Sequence, residues 1–156
     1  MRRSQINVRL WDLAFDFFSS FSRFEFCLKK NQYLKSHGPR KNASPDWSMF
    51  CQKWESQYKI SEAAIRILEH PPNEQLVGEG LSLEWHAFDL SKDKSQLSQV
   101  VALLKIIRNN LFHGGKHVAG GWDDPKRAEA LISDGLIILR ELVEFANFSS
   151  DFDQSY

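Results

Sequence analysis

Residues 10–28, LWDLAFDFFSSFSRFEFCL, carry the pattern that decides the fold. Stepped at about 100° per residue, Leu10, Leu13, Ala14, Phe17, Phe21, Phe24 and Leu28 share one wide apolar face, the mark of an amphipathic helix. The stretch is no membrane span. Asp12, Asp16, Arg23 and Glu25 interrupt it well short of the roughly 20 apolar residues a bilayer requires. The helix is expected to run from about Asn7 to Leu34 and to stop before Ser36-His37-Gly38-Pro39. Glu25 falls inside the apolar stripe. Its carboxylate either reaches water at the edge or requires a cationic or hydrogen-bonding partner.

Downstream, Asp46-Trp47 opens a second helical stretch through Phe50, Cys51, Trp54 and Tyr58. Ser61 is placed to cap a third, which His70-Pro71-Pro72 terminates. Residues 71–91, with Leu81, Leu83, Trp85 and Phe88 as anchors, read as a long loop holding at most one or two short turns or strands. Ser91 is the expected cap of the next helix, whose Leu97, Val100, Leu104, Ile107 and Leu111 recur in steps of three and four until Gly114-Gly115. The final helix begins with Asp124 as cap and Pro125 in its first turn. The expectation is an all-α bundle of four to five helices with a long loop before the penultimate one. One domain covers residues 1–149, and the acidic tail at 150–156 is expected to be disordered.

Composition agrees with this reading and narrows the class. The chain has 156 residues, 42% of them hydrophobic, and its 12 Phe and 5 Trp are too many large apolar groups for a disordered polymer. Cys27 and Cys51 lie within apolar helical patterns, so they read as buried small hydrophobes in a reducing cytoplasm. The first residues lack the basic, apolar and small-residue succession of a secretory signal. Formal net charge is zero but unevenly spread. Residues 1–41 hold nine Lys/Arg against three acids, a net of +6, and the remainder hold eleven against seventeen, a net of −6. Between Lys29 and Lys41 there is no acid at all, which makes a local anion-attracting strip.

One stretch looks chemical: Lys105-Ile106-Ile107-Arg108-Asn109-Asn110-Leu111-Phe112-His113-Gly114-Gly115-Lys116. On its helix Lys105, Asn109 and His113 form a polar sector that starts at the edge of the core stripe near Arg108. Two consecutive Asn in a helix interior weaken it, because their amides compete with the backbone. A site needing neutral hydrogen-bonding groups beside a cation would account for them. His113 and His117 are four apart, but Gly114-Gly115 lie between them and no nearby carboxylate or Cys completes a metal set, so neither metal nor cofactor is expected. P-loop, dinucleotide and Ser/Cys nucleophile motifs do not occur.

The Arg108-Asn109-Asn110-Leu111-Phe112-His113 run is an R-x-x-x-x-H motif with a polar residue after the Arg, and it resembles the signature of the HEPN superfamily of helical domains. The Gly114-Gly115-Lys116 that follows, and Ser22 to Lys30 in the first helix, resemble a plasmid- and prophage-borne HEPN subgroup. The resemblance implies a HEPN-like bundle and a metal-independent endoribonuclease, acting as a toxin or in antiviral defence by abortive infection. In such a reaction the ribose 2′-hydroxyl attacks the adjacent phosphate, leaving a cyclic phosphate and a 5′-hydroxyl. By this resemblance His113 moves a proton, Arg108 stabilises the phosphorane, and Asn109 fixes the imidazole or binds the phosphate. Glu25 is similar in placement to an acidic residue that some HEPN domains use to hold the motif Arg. Lys29, Lys30, Lys105 and Lys116 are the expected RNA contacts. A homodimer, pooling two motifs in a shared cleft, and an antitoxin or defence-system protein are the expected partners, with no membrane. In HEPN toxins silenced by a nucleotidyltransferase a Tyr stands two positions after the His; Gly115 stands there in this chain, which departs from that control. The alternative is a non-catalytic HEPN module that binds RNA, nucleotide or a protein.

Overall fold

Among the described residues, side-chain caps start four helices where the sequence provides an oxygen for an orphan backbone N–H. The computed structural model describes residues 8–92, 95–112 and 124–154. Asp46 accepts from the Met49 N–H at 3.0 Å and opens α2 (Trp47–Trp54), after α1 (Val8–Lys30). Ser61 accepts from Ala64 and opens α3 (Glu62–Glu69). α4 spans Gln96–Phe112, and Asp124 accepts from Lys126 and Arg127 at the head of α5 (Pro125–Phe145), whose first residue is the proline. A short α6 (Ser149–Phe152) is the last helix among the described residues.

Several expectations are corrected. The chain is not strictly all-α: β1 (Asn73–Val77) and β2 (Leu83–Ala87) pair antiparallel, with Asn73 opposite Ala87 and Val77 opposite Leu83. Gly80, at φ +62°, supplies a left-handed step in the connection. α1 stops four residues short of Leu34. Gln32 adopts φ +66°, and the N–H groups of Gln32 and Tyr33 return to the carbonyls of Lys29 and Leu28, a Schellman closure made without glycine. Ser91 does not cap α4. It sits in a single 3-10 turn (Leu90–Lys92) bonded to Asp89, while Ser95 accepts from the Ser98 N–H at 3.1 Å.

Residues 151–154, within the stretch expected to be a disordered acidic tail, meet α1 and the residue that follows it. Arg23 donates to the carbonyls of Asp151, Phe152 and Gln154 at 2.7–3.1 Å, placing a cation at the carbonyl end of α6. Lys30 pairs with Asp151 at 2.8 Å and Asn31 donates to the same carboxylate. These two hydrogen bonds, Lys30 foremost, hold the Asp151 carboxyl below its ordinary range. Because the folded-state value is the lower one, this contribution is present above the unfolded pKa of about 4 and is lost as pH falls through the depressed value. Protection of the Phe152 and Asp153 amides, taken relative to their intrinsic exchange rate at the same pH, is therefore expected to hold at about pH 5 and to fall only below about pH 4.

α4 is the central element. Leu97, Val100, Val101, Leu103, Leu104, Ile106 and Ile107 are all buried, so apolar groups surround most of its circumference and α1, α2, α3 and α5 pack around it. α1 lies most closely on α5. There Phe17, fully buried, faces Gly135, and a Cβ on that glycine would come within 2.7 Å of the ring. Gly135→Ala should gain about 1 kcal/mol of helix propensity but lose about 1–3 kcal/mol to overpacking, a net destabilisation readable as a lowered urea midpoint. Both cysteines are buried, as their apolar context implied. Among the described residues no helix is long and apolar enough to cross a membrane.

Candidate functional site

The burial of α4 leaves a narrow stripe uncovered: Ser98, Ala102, Lys105, Arg108 and Asn109 recur at helical spacing along one side. Its C-terminal half is the floor of a cleft of about 310 Å³. Phe21 and Glu25 of α1, Lys35, Ser44 and Pro45 of the α1–α2 connection, Trp47 of α2, and Lys105, Arg108 and Asn109 of α4 line it.

Local backbone bonding brings the connection there. Leu34 bridges Pro45, the Lys35 N–H donates to Ser44 at 3.1 Å, and the Asp46 N–H donates to Tyr33 at 2.8 Å. The segment from 33 to 46 thus folds back on itself and carries Lys35 and Ser44 to the rim. Of the basic strip, Lys35 is the side chain that lines the cleft. Lys29 and Lys30 are not part of the lining, and Lys30 is taken up by Asp151.

Glu25 shares the cleft with Arg108 but does not hold it. It accepts from the Trp47 indole N–H at 3.1 Å, the partner that its half-buried place on the apolar stripe required. The expectation of a Glu25–Arg108 clamp is therefore corrected for the described residues. Arg108 instead donates to the Asn109 side-chain oxygen at 3.0 Å and lies 5.1 Å from the Phe112 ring centre. Among the described residues it has no carboxylate partner. The Lys105 ammonium lies 5.5 Å from the Trp47 ring centre, a contact that orients it over the indole.

The two asparagines separate into two jobs. Asn110 is buried, and its amide donates to the Asn73 carbonyl at 2.8 Å, tying the root of the hairpin to α4. Its place in the helix is explained by packing, so only Asn109 remains with the cleft. Trp47 and Ser44 were not singled out from the sequence. The signal for Trp47 was Glu25, a carboxylate on an apolar face that had either to reach water or to find a donor. His113, Lys116 and His117 lie outside the described residues.

Chemically, the cleft gathers a planar guanidinium, two ammonium groups, an amide and a hydroxyl around one carboxylate that is already bonded. That set suits an anion with several oxygens. Compared with known protein families, characterised proteins and solved structures, the chain has no significant match.

Proposed function

We propose that this chain is a metal-independent endoribonuclease of HEPN type, serving as a toxin or an antiviral-defence enzyme. The observation that carries the reading is the cleft in which Arg108, free of any carboxylate among the described residues, stands with Lys105, Lys35 and Asn109. Such a fork can grip two oxygens of a phosphodiester as charge builds on it. His113, five positions after Arg108 in the sequence, supplies a group whose unperturbed pKa of about 6.5 suits proton transfer near neutrality. The test is to incubate purified protein with single-stranded RNA in excess chelator and to analyse the ends. Cyclic phosphate termini are expected. RNA that is bound but left intact would return the chain to the non-catalytic reading.

The active unit in this proposal is a two-fold homodimer. The support is an apolar strip beside Arg108: Trp11, Phe15 and Phe18 follow one another at helical spacing on α1, and Phe18 meets Phe112 with ring centres 4.8 Å apart. Phe15 is 64% exposed and Phe112 46%. A contiguous patch of this kind marks an interaction surface, and isologous pairing is the commonest soluble assembly. Phe15→Glu is expected to give a folded monomer by light scattering with strongly reduced cleavage. Refolding an equal mixture of Arg108→Ala and His113→Ala chains should recover part of the activity if the two groups act across the interface. A wild-type monomer that cuts RNA would overturn the dimer.

A further inference from the structure

We infer that the trough between α2 and α4 seats the nucleotides that flank the cleavage point of a single-stranded RNA, an inference that rests on the ribonuclease reading of the Arg108 cleft. This trough, about 500 Å³, has Trp47 and Lys105 in common with that cleft, so the two adjoin along those side chains. Its walls are built at helical spacing, from Ser48 and Gln52 on α2 and from Ser98, Ala102 and Lys105 on α4. Lys92 stands at the rim. From Ser98 to Asn109 this stripe of α4, half-buried up to Arg108 and exposed at Asn109, runs about 16 Å, longer than one nucleotide.

The chemistry selects a polyanionic strand. Lys105 and Arg108 lie one helical turn apart, with Lys92 further along and hydroxyl or amide groups between them, a spacing that follows successive phosphates and ribose hydroxyls. Glu55, the acid among the described lining of the trough, follows the last residue of α2, the end away from Trp47. Trp47 offers no open face for a base. It is buried, stacked on Phe24 at 5.0 Å, with the Lys105 ammonium on it. Recognition therefore falls on the backbone, and base preference in the trough is weak while salt dependence is steep.

The experiment compares the affinities of a trinucleotide and of an oligoribonucleotide of about 12 nucleotides, within the span that single-strand binders cover. Both carry 2′-O-methyl groups so that neither is cut. The readout is the ratio of the two dissociation constants at about 0.1 M salt. Ser48→Glu, Gln52→Glu and Lys92→Glu all change exposed positions, and an acid at Ser48 favours the first turn of α2, so each variant should fold. Combined, they are expected to reduce the length advantage about tenfold or more. An unchanged ratio, or no length advantage in the wild type, overturns the trough. The two readings fail separately. A reduced ratio in a protein that cuts no RNA keeps the trough and removes the nuclease. Cleavage that depends on Arg108 without any length advantage does the reverse. A 12-base-pair duplex that binds as tightly as the single strand would also overturn the inference.

Discussion

Arg108→Ala is expected to lower the rate of RNA cleavage by about 10²–10³, the usual loss when one preorganised charge-stabilising donor is removed. His113→Ala should cost about 10²–10⁴, the contribution of a positioned acid or base. Excess chelator should leave the wild-type rate unchanged. Intermediate substitutions sharpen the test. Arg108→Lys keeps the charge but loses the planar fork, so it should recover only part of the rate. Asn109→Asp replaces the amide that accepts from Arg108 by a carboxylate, which would pair with the guanidinium and compete with phosphate. It should therefore be slower than Asn109→Ala, an order that mere loss of a hydrogen bond would not produce. Circular dichroism checks that each variant remains folded. Equal rates for wild type and Arg108→Ala would remove the proposed function.

Phe24→Ala should destabilise the fold by about 3–5 kcal/mol, a large share of the roughly 5–15 kcal/mol available to a domain. Phe24 is fully buried at the centre of an aromatic cluster. It stacks on Trp47 at 5.0 Å and meets Phe50 edge-on at 5.5 Å and Phe148 at 5.7 Å. Deleting the ring removes three contacts and leaves a cavity that the rigid neighbours cannot close. Urea denaturation should show a lower midpoint, and the melting temperature should drop by roughly 10 °C. Val8→Ala is the control. Val8 lies on the same helix but is exposed and outside the Trp11–Phe15–Phe18 strip, and its loss should change stability by no more than about 0.5 kcal/mol. Because Trp47 rests on Phe24 and donates to Glu25, the Phe24 variant should also loosen the wall of the cleft.

The helical part of the fold was legible because its signals are local. Asp46, Ser61 and Asp124 stand where a cap oxygen is needed, and the apolar periodicity of α1, α4 and α5 identifies the faces that are buried. The hairpin was legible only in part. Leu83, Trp85 and Ala87 alternate with Glu84 and His86, but the partner strand Asn73–Val77 shows no such pattern, so nothing local pairs the two. Their pairing depends on the turn between them and on Asn110 anchoring the carbonyl of Asn73. The contacts of residues 151–154 were not legible for a related reason, since their partners Arg23 and Lys30 are more than a hundred residues away in sequence.

The candidate site divides along the same line. The sequence by itself determined that Arg108 and Asn109 sit together on an exposed stripe of a helix otherwise built for burial, because helical spacing alone sets which residues share a face. It left Glu25 two outcomes, water at the edge of the stripe or a partner within the fold. Only the tertiary structure decided that the partner is the Trp47 indole and not Arg108, that Lys35 and not Lys30 reaches the cleft, and that Asn110 serves the hairpin. Those outcomes depend on how α1, α2 and α4 cross and on the closure of the segment from 33 to 46. Crossing and closure are set by the summed packing of the core, a property of no single stretch of chain.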